Sequence, residues 1–395
     1  MATHKIKLPE RWIFLIWLLG AILIGGGVVL LNPGCQPWQG FGAGFLLGAV
    51  CLICVLAAWK WSQGPKWLLV CAVLAFALRV LFGFSMTALL PQWGYPEPAP
   101  QHGYLYLDAF SRDQDAWQLA WSGKSLLTAF REEFSTDQYG GLLSLSAAVY
   151  RTLSPDAHRP TLILILAAFS PALGIPFLWK ALSSRWNSNL AAVSSWIFAL
   201  YPESIVLGGS QMREPFLIGL SAVICWGVLE WKNNHFASMA AFLFGLLGMA
   251  FFSWLSAAAV FGVAIIWFWL DNIHPYSSAK LQKVGWFLLA AIVLCSVFFS
   301  YKWLTASARW DLYLMESSSG RIQFELDAIG RQWRIPFIIM YGLFQPVLPA
   351  ALAYPGIPLM RLVAIFRSIG WYAIVPILIF SIIAITNEKN QRNRR

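Results

Sequence analysis

Charged residues are scarce in this sequence, and that scarcity excludes most soluble architectures. Only 12% of the 395 residues are charged, 58% are hydrophobic, and the mean hydropathy is +0.62. In a soluble domain about a quarter of the residues are charged. A chain with so few charges must face lipid over most of its surface, where backbone polar groups are satisfied only in helices or closed barrels. The sequence therefore predicts an all-α polytopic membrane protein, with a single transmembrane domain over 1–395.

Histidine and cysteine are also few, with five and six residues respectively. Cys51 and Cys54 form a Cys-x-x-Cys pair, but no second pair or histidine follows at the spacing of a zinc site. We interpret both as packing residues of a membrane span. The sequence specifies no cofactor and leaves a loosely bound divalent metal ion open.

A signal-peptide cleavage site is missing as well. The basic segment 1–11 leads into about twenty apolar residues, which is too long for a signal-peptide core, and no small-x-small motif follows. We expect this segment to stay as an anchor. The net charge of +10 comes from Lys and Arg between apolar runs. That pattern is typical of the positive-inside rule and argues against a nucleic-acid partner.

Apolar runs long enough to cross a bilayer predict about ten transmembrane helices. They cover 12–31, 41–58, 67–90, 160–179, 189–207, 213–231, 236–252, 254–270, 284–304 and 364–386. Two further runs, 139–153 and 336–352, are short or interrupted by proline and are predicted to be partial or interfacial helices. If neither crosses, the basic loops and the C-terminal tail lie on the cytoplasmic side. We expect a multi-pass protein of the inner (plasma) membrane with both termini cytoplasmic.

An acidic loop, 91–138, is then external. Its centre carries Asp108, Asp113 and Asp115, and Trp117 shares one helical face with the apolar residues three and four positions further on. This spacing predicts an amphipathic helix on the membrane surface.

Two other polar groups fall on the same side. Tyr201 and Glu203 close one predicted span, and Arg213 and Glu214 open the next. An ion pair between Arg213 and Glu203 is one interpretation, and a polar cavity beside the acidic loop is the other.

The third polar group is a second external loop, 305–335, which contains Arg331 and Arg334. An ordinary solvated loop is the alternative to a functional role. Arg79 lies in the middle of a predicted span, where a buried acid and a lipid phosphate are both open as its partner.

This layout resembles the GT-C fold of integral-membrane glycosyltransferases, such as protein O-mannosyltransferases and the aminoarabinose transferases of lipid A. The resemblance covers about 90–335. The Asp-x-x-x-Tyr motif of that family is matched by Asp113 to Trp117, with Trp in place of Tyr, and the stretch from Tyr201 to Pro215 matches its second external turn. Two spans precede the one that leads into the acidic loop, and no soluble C-terminal domain follows.

The resemblance implies an inverting transfer of a sugar from a polyprenyl-phosphate donor to an acceptor hydroxyl on the external side. The acceptor would be a glycan, a lipid or a protein, and membrane lipids are further partners. Asp113 is the expected general base, with Asp115 second.

The leaving phosphate requires fixed cations, and the candidates are Arg213, Arg331 and Arg334. The expected acceptor-binding or supporting residues are Glu214, Glu203, Asp108, Trp117 and Tyr201.

Two other classes compete with this hypothesis. O-antigen polymerases and ligases also use polyprenyl-linked glycans, but they usually rely on Arg and His in external loops. Transporters tend to have two matching halves with broken helices at the midplane. The sequence has no internal repeat and its polar groups collect on one face, so we favour the transferase.

Overall fold

The computed structural model describes residues 10–32, 36–131, 139–291, 294–295, 298, 330–337, 352 and 356–392. Within these ranges the secondary structure is helical, and no β-strand occurs. The helices are α1 Glu10–Leu31, α2 Pro37–Ser62, α3 Lys66–Trp93, α4 Pro98–Gln101, α5 Leu107–Trp121, α6 Gly141–Leu153, α7 Thr161–Arg185, α8 Ser188–Leu200, α9 Pro202–Gly208, α10 Glu214–Leu229, α11 His235–Phe252, α12 Trp254–Phe268 and α13 Pro358–Arg392. Short 3-10 helices cover Leu126–Phe130, His274–Tyr276 and Arg331–Trp333, and Trp269–Ile273 forms a π-helical turn.

The structure confirms an all-α polytopic membrane protein. Seven of the described helices are long and apolar enough to cross a bilayer, and α8 with α9 makes an eighth if that bent pair is one span. At 16 residues, α10 is shorter than a usual span. The predicted run 284–304 extends past the described residues. The number of about ten spans therefore stays a prediction.

The two predicted partial helices have different outcomes. The run 139–153 forms α6, whose 13 residues are too few to cross the hydrocarbon core. The run 336–352 lies almost entirely outside the described residues, as do Glu132, Glu133 and Asp137 of the acidic loop.

Contacts divide the chain into two compact units, one of 1–265 with 355–373 and the other of 266–354 with 374–395. In the second unit Trp269 packs edge-on against Trp286 at 5.6 Å. The first unit contains the core and the polar clusters described below. A single transmembrane domain over 1–395 stays a prediction.

Helix α7 is the centre of the first unit. In its apolar window 67% of the residues are buried, against 22% in α1 and in α11, whose outer faces expose large hydrophobic side chains to lipid. It packs against α2, α3, α8 and α10. Gly219 of α10 allows the closest approach, because a Cβ there would lie 2.3 Å from the carbonyl oxygen of Ser170.

A proline causes the 49° bend between α8 and α9. Pro202 has no N–H, so the carbonyl of Phe198 four residues earlier lacks its helical donor. Arg79, fully buried in α3, donates to the two carbonyls at the end of α8 that lack helical donors, those of Phe198 (3.3 Å) and Ala199 (3.0 Å), and also to the carbonyl of Ser204 in α9 (3.2 Å). Neither partner considered for Arg79, a buried acid or a lipid phosphate, is correct. Its charge instead meets the negative end of the α8 dipole.

The first unit has two distinguishable ends. At the basic end α2, α7 and α10 finish, and Lys180 Nζ donates to the carbonyl of Trp61 at 3.2 Å. At the opposite end, the site end, α3 finishes, α7 and α10 begin, and α4, α5 and α6 lie between them. The basic residues at the basic end are Lys60, Lys66, Lys180, Arg185 and Lys232.

Candidate active site

Asp113 is the centre of a buried polar cluster at the site end. Its side chain is 2% exposed and accepts hydrogen bonds from Tyr104 Oη (2.5 Å) and from Tyr150 Oη of α6. Nε2 of His158, in the loop before α7, lies 2.7 Å from Asp113 Oδ2. Four separate segments of the chain thus meet at one carboxylate.

The orientation of α5 explains how Asp113 comes to be buried. The inward face of α5 repeats at helical spacing and includes Ala109, Ala116 and Leu119 beside the polar residue Asp113. The face that we predicted to lie on the membrane is different, since Trp121 is 65% exposed while Trp117 covers part of the cluster. The carboxylate of Asp113 faces inward, where Tyr104, Tyr150 and His158 contact it.

The contact with Asp113 affects the protonation of Tyr104. Burial, and next the negative charge of Asp113 and its hydrogen bond, raise the pKa of Tyr104 well above its usual value. Tyr104 therefore remains a neutral donor. Three side chains lie within hydrogen-bond distance of the Asp113 oxygens, so few of their lone pairs remain for a substrate.

His158 is the cluster member with the most access to solvent, at 21% exposed. Its ring stacks on Trp117 with centroids 5.1 Å apart and meets Tyr150 edge-on at the same distance. Nε2 faces Asp113, and among the described residues Nδ1 has no hydrogen-bond partner. A histidine oriented by a carboxylate, with its second nitrogen available, is the usual arrangement of a general base.

The loop that carries His158 is held by its neighbour Arg159, which is 1% exposed. Arg159 binds both oxygens of Asp156 (2.6 and 2.7 Å) and donates to Ser154 Oγ at 2.7 Å and to the carbonyl of Gln36 at 3.1 Å. The hydrogen bonds from Arg159 lower the pKa of Asp156 below its usual value. This clamp fixes the backbone on either side of the histidine.

A second polar cluster lies at the same end. Glu203 of α9 accepts two hydrogen bonds from Arg367 of α13, at 2.5 and 2.7 Å. The interpretation of Glu203 as an ion-pair partner of Arg213 is therefore wrong, because Arg367 approaches with the fork geometry that a carboxylate prefers. Arg213 instead lies over the ring of Tyr139 at 4.5 Å, and its Nε is 3.4 Å from Glu214 Oε1.

The two clusters adjoin through the turn between α9 and α10. Arg112, the residue before Asp113, is 5% exposed and donates to the carbonyl of Gln211. The side chain of Gln211 also lowers the pKa of the Tyr104 phenol. The bond from Arg112 thus connects α5 with the turn that contains Gln211.

The remaining predicted site residues lie at the margins. Asp108 is exposed in the first turn of α5, and Asp115 is half-buried on a different side of that helix from Asp113. Tyr201 lies at the α8–α9 bend beside Gly370.

The second external loop contributes nothing to this cluster that the structure describes. Arg331 and Arg334 belong to the second unit, where they lie in and directly after a 3-10 turn. Their predicted roles stay predictions, and 305–329 lies outside the described residues.

Sequence reasoning missed His158 and Arg367. His158 is one of only five histidines and lies between two prolines, a signal that was present in the sequence. Arg367 lies inside the predicted span 364–386, where a charge in itself indicates a functional or paired residue.

Within the described ranges no three His, Cys, Asp or Glu side chains are close enough together to hold a metal ion. Comparisons of the chain with protein-family models, with curated proteins and with solved structures find no match.

Proposed function

We propose that this protein is a membrane glycosyltransferase that moves a sugar from a polyprenyl-phosphate donor to an acceptor hydroxyl. The observation that carries the proposal is the pair of Asp113 and His158 at the site end, where one imidazole nitrogen has no hydrogen-bond partner among the described residues. This is the machinery needed to take a proton from a hydroxyl nucleophile.

In the proposed reaction His158 Nδ1 takes the proton of the acceptor hydroxyl. That oxygen bonds to the anomeric carbon as the bond from this carbon to the phosphate oxygen breaks, which inverts the centre. Asp113 holds the ring and stabilises the imidazolium that forms. We thus assign Asp113, the expected base, a supporting role, because three donors already occupy it.

Arg213 is the candidate cation for the leaving polyprenyl phosphate. Its contact with Glu214 is long at 3.4 Å, whereas Arg367 already uses two nitrogens on Glu203. A guanidinium held over an aromatic ring keeps donors available for phosphate oxygens. The charge that develops on the phosphate would be stabilised by this group.

The position of the cluster supports a reaction on the non-cytoplasmic face. Asp113 and His158 lie at the end of the first unit opposite to the loops with Lys60 and Lys66, and to the end of α7 with Lys180. Basic loops are retained on the cytoplasmic side. We therefore propose an external or periplasmic active site in the inner membrane.

The test is transfer from radiolabelled polyprenyl-phosphate sugars in membranes that contain the wild type, His158→Gln, Asp113→Asn or the control His102→Gln. His102 is an exposed histidine between α4 and α5, the helix that carries Asp113. Loss of a general base costs about 10²- to 10⁴-fold, so we expect that loss in the first two variants and none in the control.

Each other outcome has a definite meaning. Activity that survives His158→Gln but not Asp113→Asn would return the base to Asp113. Wild-type membranes that transfer no sugar from any donor would remove the glycosyltransferase proposal itself.

The histidine also favours a second candidate, a polymerase or ligase that acts on polyprenyl-linked glycans, because that class relies on external Arg and His. Here the donor is an oligosaccharide on a polyprenyl pyrophosphate. Elongation with that donor, and no transfer from the monophosphate-linked sugars, would favour this candidate.

A further inference from the structure

Trp117 covers one face of the His158 imidazole. The centroids of the two rings are 5.1 Å apart and their planes are inclined by only 21°, so the rings lie face to face. The ring of Tyr150 meets the same imidazole edge-on, at an interplanar angle of 82°. Two aromatic side chains thus enclose the ring of His158, while Asp113 contacts it at Nε2.

One turn of α5 supplies both the carboxylate and the indole. Asp113 and Trp117 are four residues apart, so they lie on the same face of the helix. The indole is half-buried, packs against the apolar core of the first unit and meets Tyr150 edge-on at 5.6 Å. These contacts hold the indole in place whether or not His158 carries a charge.

The face of an indole attracts a cation. Its π electrons make the face negative, and Trp is the side chain in which this attraction is strongest. A separation of 5.1 Å lies inside the distance of about 6 Å over which the attraction acts. A neutral imidazole gains only ordinary stacking energy from the same contact. Trp117 therefore favours one of the two protonation states of His158.

Other charged side chains of the same elements bind other partners. Asp156 and Arg159, which flank His158 on its loop, pair with each other at 2.6 Å. Arg112 of α5 and Arg151 of α6 donate to backbone carbonyls. The titratable groups within the cluster itself are Asp113, Tyr104 and Tyr150.

We propose that Trp117 is a positioning residue that, together with Asp113, stabilises the protonated form of His158. The carboxylate provides an opposite charge at Nε2, and the indole provides its negative face. In the proposed reaction the protonated ring forms when Nδ1 takes the acceptor proton, so the contact lowers the barrier as the charge develops. This last step rests on the proposed function, whereas the effect on protonation does not.

The experiment follows the protonation of His158 directly. The full chain with isotope-labelled histidine is purified in nanodiscs, and NMR of the ring nitrogens records the pH titration of the wild type, Trp117→Phe and Trp117→Leu. Trp93→Leu, at an exposed position near the end of α3, is the control. The signal that is missing in His158→Gln identifies the residue.

We expect Trp117→Leu to weaken proton binding by His158 about threefold, which lowers the midpoint of its titration by about half a pH unit. Trp117→Phe keeps a ring with a less negative face, so its midpoint should lie between those of the wild type and the leucine variant. The control should titrate as the wild type does.

A purely structural role of Trp117 predicts the opposite shift. If the indole only shielded the imidazole from water, its replacement would hydrate the charged ring and raise the midpoint. A raised or unchanged midpoint in the two Trp117 variants would therefore overturn the inference. Trp117→Phe decides the question if the leucine variant does not fold.

Transfer assays on the same proteins separate this inference from the proposed function. If the midpoints follow the expected order but wild-type membranes transfer no sugar, only the proposed function is removed. If the wild type transfers sugar but all three midpoints are equal, only the role of Trp117 is removed.

Discussion

Arg79 should be essential to the stability of the first unit although, in the part of the chain that the structure describes, no acid pairs with it. Arg79→Met removes the donors of three backbone carbonyls, those of Phe198, Ala199 and Ser204. An unsatisfied buried carbonyl costs about 1–3 kcal/mol, so the two at the end of α8, Phe198 and Ala199, cost about 2 kcal/mol at the least. Removal of the buried charge of Arg79 would by itself stabilise the variant. This gain is small, because the dipole of α8 already stabilises that charge in the wild type. We expect a net loss of about 2 kcal/mol.

The measurement is the thermal unfolding of the purified chain, followed by tryptophan fluorescence. The expected result is a Tm several degrees below that of the wild type for Arg79→Met. Arg185→Met, at an exposed position, should remain within about 0.5 kcal/mol of the wild type. A methionine variant as stable as the wild type would refute the assignment of Arg79 to the carbonyls.

Pro202 provides a sharper version of this test. Pro202→Ala restores an N–H four residues after Phe198, so the Phe198 carbonyl regains a helical donor. In that background Arg79→Met should cost about 1 kcal/mol less than in the wild type, which a double-mutant cycle measures. Equal costs in the two backgrounds would mean that Arg79 does not compensate for the proline.

Two further predictions concern pH and topology. The folded-state pKa of Asp156 is lowered by Arg159, so the stability from this pair should be present above about pH 4 and be lost as the pH falls below it. The unfolding temperatures of the wild type and of Asp156→Asn should therefore converge in acid. A difference that stays constant with pH would contradict the assignment. In a background without native cysteines, Asp137→Cys and Gly320→Cys should react with an impermeant maleimide in intact cells and Ser183→Cys should not, whereas the reverse pattern would invert the topology.

Hydropathy predicted most of the helices because a chain with so little charge has few alternatives to membrane helices. The α8–α9 bend could be predicted from the sequence, since Pro202 lies inside an otherwise apolar run. The arginine that binds the carbonyls at this bend could not be predicted from the sequence, because Arg79 is more than a hundred residues away along the chain. A single sequence has no periodic signal for contacts of that kind.

The candidate site was predicted in part for a similar reason. Asp113 was chosen from its acidic loop, and the structure places it in a buried cluster with His158. One of the two interpretations paired Glu203 with Arg213, ten residues further along, but Glu203 binds Arg367. Proximity in sequence favours the nearer arginine, whereas in the bundle α13 brings the other one closer.

The charged side chains of the first unit fall into two groups according to the partners that they bind. Arg79, Arg112 and Arg151 donate to backbone carbonyls at helix ends and turns, which fixes the frame around the cluster. Asp113, by contrast, is bound by two tyrosines and a histidine. The arginines thus hold the backbone in place, and in the proposed reaction Asp113 orients the imidazole of His158.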